Sequence, residues 1–282
     1  MTTYNRAMGI LIGLAIGDTL GMPIEFSIRD TYQPITDMRD GGPFNLDVGY
    51  WTDDTSMALC LADSIIKTGT LDQRDLMDRF VNWESNGYNS STGLCFDIGN
   101  ATRNALMLYR IHKDPIAGSS SPNTSGNGAI MRIGPVAMKW WDDINLAKSA
   151  AKKQTVTTHA SEECIEYSDK MIKLLVTLIN GGTKEDIPDY DRLIKTSRGF
   201  IESTGYVVHT FEAACWAVAN TNSFEEAVLL AVNLGDDSDT VGAVTGQIAG
   251  ALYGYSNIPT HWIEKLYDHE RLYKLSETLY KR

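Results

Sequence analysis

The sequence predicts an all-α protein. Amphipathic stretches with helical spacing recur along most of the chain, alternating strand patterns bounded by hairpin turns are nearly absent, and two rows of glycines repeat every four residues. The amphipathic stretches run Asp72 to Glu84, Asn100 to Ile111, Ser161 to Asn180, Thr210 to Asn220, Phe224 to Leu234 and His261 to Tyr280. In the fourth, Phe211, Ala214, Cys215 and Val218 share one face at i, i+3, i+4, i+7. Ser161 ahead of Glu163 and Cys164 reads as a helix start, and Gly181-Gly182 as a stop. Tyr206-Val207-Val208 is too short to count as a strand.

The glycine rows are Gly9, Gly13, Gly17, Gly21 and Gly242, Gly246, Gly250, Gly254. A glycine inside a helix costs about 1 kcal/mol relative to alanine, so a repeated row needs a reason. Removing side chains along one ridge lets another helix approach closely. Two central helices are therefore expected, packed tightly on neighbours or on each other, with Gly21 and Gly254 serving as helix ends. If the ridges meet, Asp237 and Asp239 at the start of the second helix fall near the end of the first.

At 282 residues, with 43% hydrophobic and 22% charged residues, the chain can bury a substantial core. Ala117 to Gly128 is the loop richest in breakers, and apolar sequence on both sides of it favours one domain, residues 1–282. A net charge of −11 argues against general nucleic-acid binding, which needs a basic face. The four cysteines, Cys60, Cys95, Cys164 and Cys215, lack metal or disulfide spacing and read as reduced thiols of a cytoplasmic protein. Met8 to Leu20 is apolar, but it is short for a membrane span, contains Asp18 and lacks a cleavage site, so neither a membrane segment nor a signal peptide is expected.

The chemistry concentrates in two acidic clusters, Thr52-Asp53-Asp54-Thr55 and Asp236-Asp237-Ser238-Asp239-Thr240. Crowded carboxylates repel, and burying them without a partner is expensive. A hard divalent cation such as Mg²⁺ or Mn²⁺ would supply the missing charge through oxygen ligands. One such cluster alone reads more simply as a helix N-cap; two together favour metal. Thr124-Ser125-Gly126-Asn127-Gly128 would suit an anion-binding nest or an unliganded turn. Asp97 reads as a cap for the helix near Asn100 or as a catalytic acid, and Glu25 as a functional carboxylate in an apolar turn or a surface residue. His159, just ahead of a helix start, taken alone reads as structural.

These pieces occur together in one known family. Segments GLAIGDTLGMPIEF, WTDDTSMALCLADSI, CFDIGNATRNAL, SGNGAIMRIGPVA, the TTH around His159, GYVVHTFEAACWA and LGDDSDTVGAVTGQIAGALYG resemble the ADP-ribosylglycohydrolases, from residue 13 to 254. The resemblance implies a compact single-domain orthogonal helical bundle with a binuclear Mg²⁺ or Mn²⁺ cleft. By motif matching it implies metal ligands Thr52, Asp53, Asp54, Asp237, Asp239 and Thr240, with Asp236 outside the set. Glu25, Asp53 and Asp97 match catalytic positions. Thr124, Ser125, Gly126, Asn127 and Gly128 would hold diphosphate and ribose beside His159, Tyr206 would touch the nucleotide, and Gly99 and Asn100 would complete the substrate site. The segment from Phe96 to Asn100 resembles the arginine-specific bacterial branch, where an anionic Asp97 suits a guanidinium leaving group. The implied reaction hydrolyses the N-glycosidic bond of ADP-ribosyl-arginine on a modified protein and releases ADP-ribose. The alternatives are a catalytically silent ADP-ribose binder, a hydrolase of serine, nucleic-acid or O-acetyl linkages, and a two-metal phosphoesterase.

Overall fold

In the computed structural model, which describes residues 1–281, the chain forms thirteen α-helices joined by loops and 3-10 turns. No extended strand occurs among the described residues; three isolated bridges tie loops together. In order the helices are α1 Thr3–Gly21, α2 Asp53–Thr68, α3 Gln73–Asn86, α4 Asn100–His112, α5 Gly134–Lys139, α6 Ile144–Val156 and α7 Glu162–Ile179. The remainder are α8 Tyr190–Leu193, α9 Val207–Ala219, α10 Phe224–Val232, α11 Ser238–Tyr253, α12 Thr260–Lys265 and α13 His269–Tyr280.

α1 and α11 form the axis of the molecule. Every residue of α1 from Ala7 to Gly21 is buried, and so is every residue of α11 from Ser238 to Leu252. The two glycine rows face each other in antiparallel order: Gly9 on Gly250, Gly13 on Gly246, Gly17 on Gly242, Gly21 on Ser238. A Cβ at any of these four α1 glycines would fall under 3.0 Å from the backbone of α11. Gly21 therefore both ends α1 and packs on α11, whereas Gly254, at φ 77°, only ends its helix. The buried apolar side chains form one cluster that runs from Ala7 to Leu279 around this axis.

The polar layer at the helix ends is locally capped. Ser161 caps α7 through Cys164 N, Asp72 caps α3, and Asp143 caps α6. α6 lies outside the predicted stretches, because its buried face is only Ala147, Ala150, Ala151, Gln154 and Thr155. α9 begins at Val207 rather than Thr210, directly after Gly126 pairs with Tyr206 and Val207 N bonds Ser125 O at 3.0 Å.

Two further expectations are corrected. The stretch His261 to Tyr280 is two helices, α12 and α13, separated by an extended Leu266 and a left-handed Asp268. Tyr267 N leaves the helical pattern to bond Gly49 O at 3.1 Å, and its ring packs on Tyr50 and Trp51. The apolar N-terminal segment is also longer than it reads, since helix and following turn span Thr3–Ile24, 22 residues that contain an 18-residue window with a mean hydropathy of 1.6. By length and composition that would cross a bilayer, but 94% of its apolar window is buried inside the protein.

In an open helix, glycine to alanine gains about 1 kcal/mol. Here the clash dominates, so Gly13→Ala and Gly246→Ala should each lower unfolding free energy by about 2 kcal/mol or more in urea titrations. Gly199→Ala, where an added Cβ meets nothing within 4 Å, should leave the midpoint unchanged.

Candidate metal centre and cleft

Three helix ends deliver the carboxylates to one place. The last turn of α1 carries Asp18, the first turn of α2 carries Asp53 and Asp54, and the first turn of α11 carries Asp239 and Thr240 behind Asp237 at its N-cap. Thr52 and Asp237 occupy N-cap positions, but neither side chain makes a capping hydrogen bond. Asp18 caps α2 from another helix instead: it accepts from Thr52 N at 2.9 Å, Thr55 N at 3.1 Å and Thr55 Oγ1 at 2.6 Å. The Thr52 and Asp237 side chains are thus released from local capping.

The two clusters reach each other across the α2–α11 junction. Thr52 Oγ1 donates to Asp239 Oδ2 at 3.3 Å, and Thr240 Oγ1 donates to Asp54 Oδ1 at 3.3 Å. Asp54 Oδ2, Asp239 Oδ1 and Glu25 Oε2 are buried without any partner. Carboxylate oxygens of Asp18, Asp54 and Asp239 lie within 4.8 Å of one another, and so do those of Glu25, Asp97 and Asp239. Asp239 belongs to both groups. Orphaned buried oxygens in an all-oxygen donor set fit hard divalent cations and offer nothing to a soft one.

Glu25 reaches this point because Met22-Pro23-Ile24 makes a 3-10 turn just past α1, which leaves it 5% exposed. The next residue, Phe26, is left-handed, as is Asp236. Phe26 N bonds Asp236 O at 2.7 Å and Asp236 N bonds Ser27 O at 2.8 Å, which staples the Glu25 loop to the second acidic cluster. Asp97, also left-handed, caps no helix: α4 is capped by Gly99, whose side-chain-free position makes no capping bond. The Asp97 carboxylate joins Glu25 and Asp239 instead.

A cavity of about 570 Å³ opens over the cluster. Glu25, Asp53, Asp97, Gly99, Asn100, Gly126, Asn127, Gly128, His159, Asp237 and Thr240 line it. Thr52, Asp54 and Asp239 lie beneath its floor, at most 1% exposed. Thr124, Ser125 and Tyr206 do not line it. Thr124 Oγ1 donates to Ser121 O, Ser125 Oγ donates to Ser161 Oγ at 2.9 Å, and Tyr206 donates its hydroxyl to Glu163 Oε1 at 2.7 Å. The N–H groups of Gly126 and Asn127 are taken by Thr124 O and Gly205 O, so they do not form an open nest. Gly128 serves close packing: a Cβ there would stand 2.7 Å from the His159 ring, whereas one at Gly126 would meet that ring at an ordinary 3.4 Å. Asn127 Nδ2 donates to Asp237 Oδ2 at 2.6 Å, tying this loop to the acidic cluster.

Four contributors escaped the sequence reading. Asp18 is the lone carboxylate in an apolar helix, and Arg132 the lone cation in an apolar run, so both carried a usable signal. Phe26 and Phe44, whose ring centroids lie 6.4 Å apart at the cavity edge, carried none.

Burial pushes the carboxyls of Asp18, Glu25, Asp53, Asp54, Asp97, Asp237 and Asp239 upward, and repulsion from neighbouring carboxylates adds to it for Glu25, Asp53, Asp54, Asp97 and Asp239. Asp53, Asp54 and Asp239 rise well above the ordinary 3.8, first by burial; the charge of Asp239 then adds most to Asp53 and Asp54, and that of Asp97 adds most to Asp239. Glu25 is raised by burial and then by Asp239 and Asp97. Asp97 rises to about 9 by burial and Asp53, and Asp18 to about 6 by burial, held back by its hydrogen bonds from Thr55 and Thr52. His159 is lowered to about 3 by burial and by Arg132, so it is neutral.

Comparison with known proteins follows this geometry. The family model for ADP-ribosylglycohydrolase matches residues 1–282. The chain is 46% identical to the ADP-ribosylarginine hydrolase Tri1 of Serratia proteamaculans (strain 568), covering 99% of this chain and 80% of that protein. It is 31% identical to the ADP-ribosyl-[dinitrogen reductase] glycohydrolase of Rhodospirillum rubrum, covering 94% and 91%. A solved ADP-ribosylglycohydrolase-related protein complex superposes with a TM-score of 0.86 at 36% identity, covering 99% of this chain and 98% of the other.

The raised values fix a sign. Without a cation the folded state holds these protons more tightly than the unfolded chain, whose carboxylates titrate near 3.8. Stability should therefore fall as pH rises through the interval from about 4 to about 9. In chelator, the melting temperature should drop between about pH 5 and about pH 8. A saturating divalent cation should flatten that drop, and Asp239→Asn should lose the cation response.

Proposed function

The chain belongs to the ADP-ribosylglycohydrolase family, and from that premise we propose that it hydrolyses the N-glycosidic bond between ADP-ribose and an arginine side chain of a modified protein. The observation that supports this most is the meeting of Glu25, Asp97 and Asp239 oxygens at the floor of the cavity, beside the partnerless oxygens of Asp54 and Asp239. Thr52, Asp53, Asp54, Asp237, Asp239 and Thr240 would hold two divalent cations, Mg²⁺ or Mn²⁺ by the hardness of the donors. When bound, such a pair supplies Lewis acidity to sugar hydroxyls and lowers the pKa of water.

The protein's own residues then divide the work. Glu25 and Asp53 face the cavity from the acidic side and are placed to orient water and accept its proton. Asp97 faces the same space. As a carboxylate it would hold the acceptor guanidinium by charge-assisted hydrogen bonds; protonated, it would hand its proton to the departing nitrogen. In the reaction a water oxygen bonds C1″, the C1″–N bond breaks with its pair going to nitrogen, and that nitrogen takes a proton. Gly126, Asn127, Gly128 and His159 line another wall, along which the phosphate and ribose would lie with the His159 ring as the polar group facing them, and Gly99 and Asn100 would complete the acceptor side.

Arginine is preferred because relatives at 46% and 41% identity are ADP-ribosylarginine hydrolases and because the acidic Asp97 face suits a cation. We take residues 1–282 as one catalytic domain, on the strength of the single core. Unpaired Cys60, Cys95, Cys164 and Cys215 favour a cytoplasmic setting.

ADP-ribose release from arginine-, serine- and DNA-linked substrates, assayed with Mg²⁺ and with Mn²⁺, tests the proposal. Turnover should be confined to the arginine linkage. Asp54→Ala and Asp239→Ala should each cut kcat by about 10³-fold or more, as expected when a charged group that holds the reacting centre is lost. Unchanged hydrolysis in either variant would remove the metal centre from the mechanism.

A further inference from the structure

Arg132 is fully buried and forms no ion pair among the described residues. Its Nε donates to Gln154 Oε1 at 3.0 Å, and its Nη2 donates to Gln154 O at 3.3 Å and to Thr158 Oγ1 at 2.7 Å. The guanidinium also lies 4.7 Å from the centre of the Phe80 ring. Isolating a cation in the interior is expensive, and an apolar side chain would fill the same space more cheaply. The position therefore calls for a reason beyond packing.

The reason lies one bond further on. Thr158 Oγ1 accepts from Arg132, and His159 Nδ1 stands 2.8 Å from the same oxygen. Arginine has no acceptor, so its N–H must point at the hydroxyl. The Thr158 hydroxyl has one hydrogen and His159 Nδ1 is the acceptor in reach, so the hydrogen goes there. A neutral imidazole that accepts at Nδ1 carries its own proton at Nε2. Nε2 has no protein partner, is not sealed among the buried orphans, and opens on the cavity between Gly126 and Gly128.

We propose that Arg132 and Thr158 are positioning residues that lock His159 as the Nε2–H tautomer, giving the cleft a permanent neutral donor for a phosphate oxygen of ADP-ribose. The ligand half of this rests on the function proposed above; the tautomer half rests on geometry alone. The neutral state is supported by burial and by the nearby guanidinium. One consequence is that no imidazole lone pair faces the cleft, so His159 takes no part in proton transfer and the acid–base work stays with the carboxylates.

Long-range ¹H–¹⁵N spectra of the full chain, labelled at histidine, read the tautomer directly. The expected signature is Nε2–H for His159 with and without ADP-ribose. Thr158→Val should mix the tautomers and weaken ADP-ribose by the reciprocal of the Nε2–H fraction that remains, about twofold for an even mixture, in calorimetry with Mg²⁺ or Mn²⁺ present. Thr158→Ser, which keeps the hydroxyl, should restore both readouts. An Nδ1–H ring in the unaltered protein overturns the tautomer lock. Unchanged ADP-ribose affinity in Thr158→Val with mixed tautomers overturns the donor role. Absence of ADP-ribose binding by the unaltered protein, with Nε2–H intact, overturns the ligand half and the function behind it while the lock stands.

Discussion

The backbone contact between α1 and α11 is the constraint on which the rest of this structure depends. Glycines at four-residue spacing on both helices remove the ridges that would hold the axes apart, so the backbones themselves touch at Gly9–Gly250, Gly13–Gly246 and Gly17–Gly242. That contact excludes slips of one to three residues, because a glycine moved out of line would bring a Cβ-bearing neighbour against a carbonyl. Register then fixes chemistry. Asp18 follows Gly17 directly, and Asp239 follows Ser238, which sits on Gly21 and donates to its carbonyl at 2.8 Å. Sliding one helix by a single residue would rotate its acid about 100° off the shared site.

Around that axis, the acidic cluster mixes satisfied and unsatisfied groups, and the mixture is informative. Asp18 is fully buried yet holds three short hydrogen bonds from the start of α2, so it has a structural occupation. Both α2 and α11 point their positive N-terminal ends at the carboxylates, which offsets part of the repulsion. What the protein leaves uncompensated is specific: one oxygen each on Asp54, Asp239 and Glu25. Among the described residues no N–H or hydroxyl donates to these atoms, and Arg132, the buried cation that acts on Asp53, is committed to Gln154 and Thr158. A cluster built only to start two helices would not need partnerless oxygens.

Another wall of the cavity is held by different means. The segment from Ser125 to Gly128 spends its backbone on neighbours, pairing with Tyr206 and Gly205, and its Gly128 admits the His159 ring rather than bending toward an anion. Asn127 ties the wall to Asp237. The two sides of the cleft are therefore joined by a hydrogen bond, although they come from segments more than a hundred residues apart.

Much of this was legible in the chain itself. Helical periodicity, glycine rows and two acid–hydroxyl clusters mark an all-α fold, a tight helix pair and a carboxylate group that could hold a metal ion, because each is a local pattern with few physical interpretations. His159 and the Gly126–Gly128 turn were legible by resemblance as members of one wall. Other features depend on who the neighbour is. Asp18 becomes a cap only when α2 docks on α1; Asp97 is not a cap only because Gly99 occupies that position; Tyr267 breaks a continuous helical pattern only because Gly49 offers a carbonyl. Thr124, Ser125 and Tyr206 carry the right chemistry but spend it on Ser121, Ser161 and Glu163. The sequence by itself determined which groups are available, since charge, hydroxyls and missing side chains are written residue by residue. Only the tertiary structure decided which of those groups remain unpaired, because a hydrogen bond or an ion pair belongs to two positions at once.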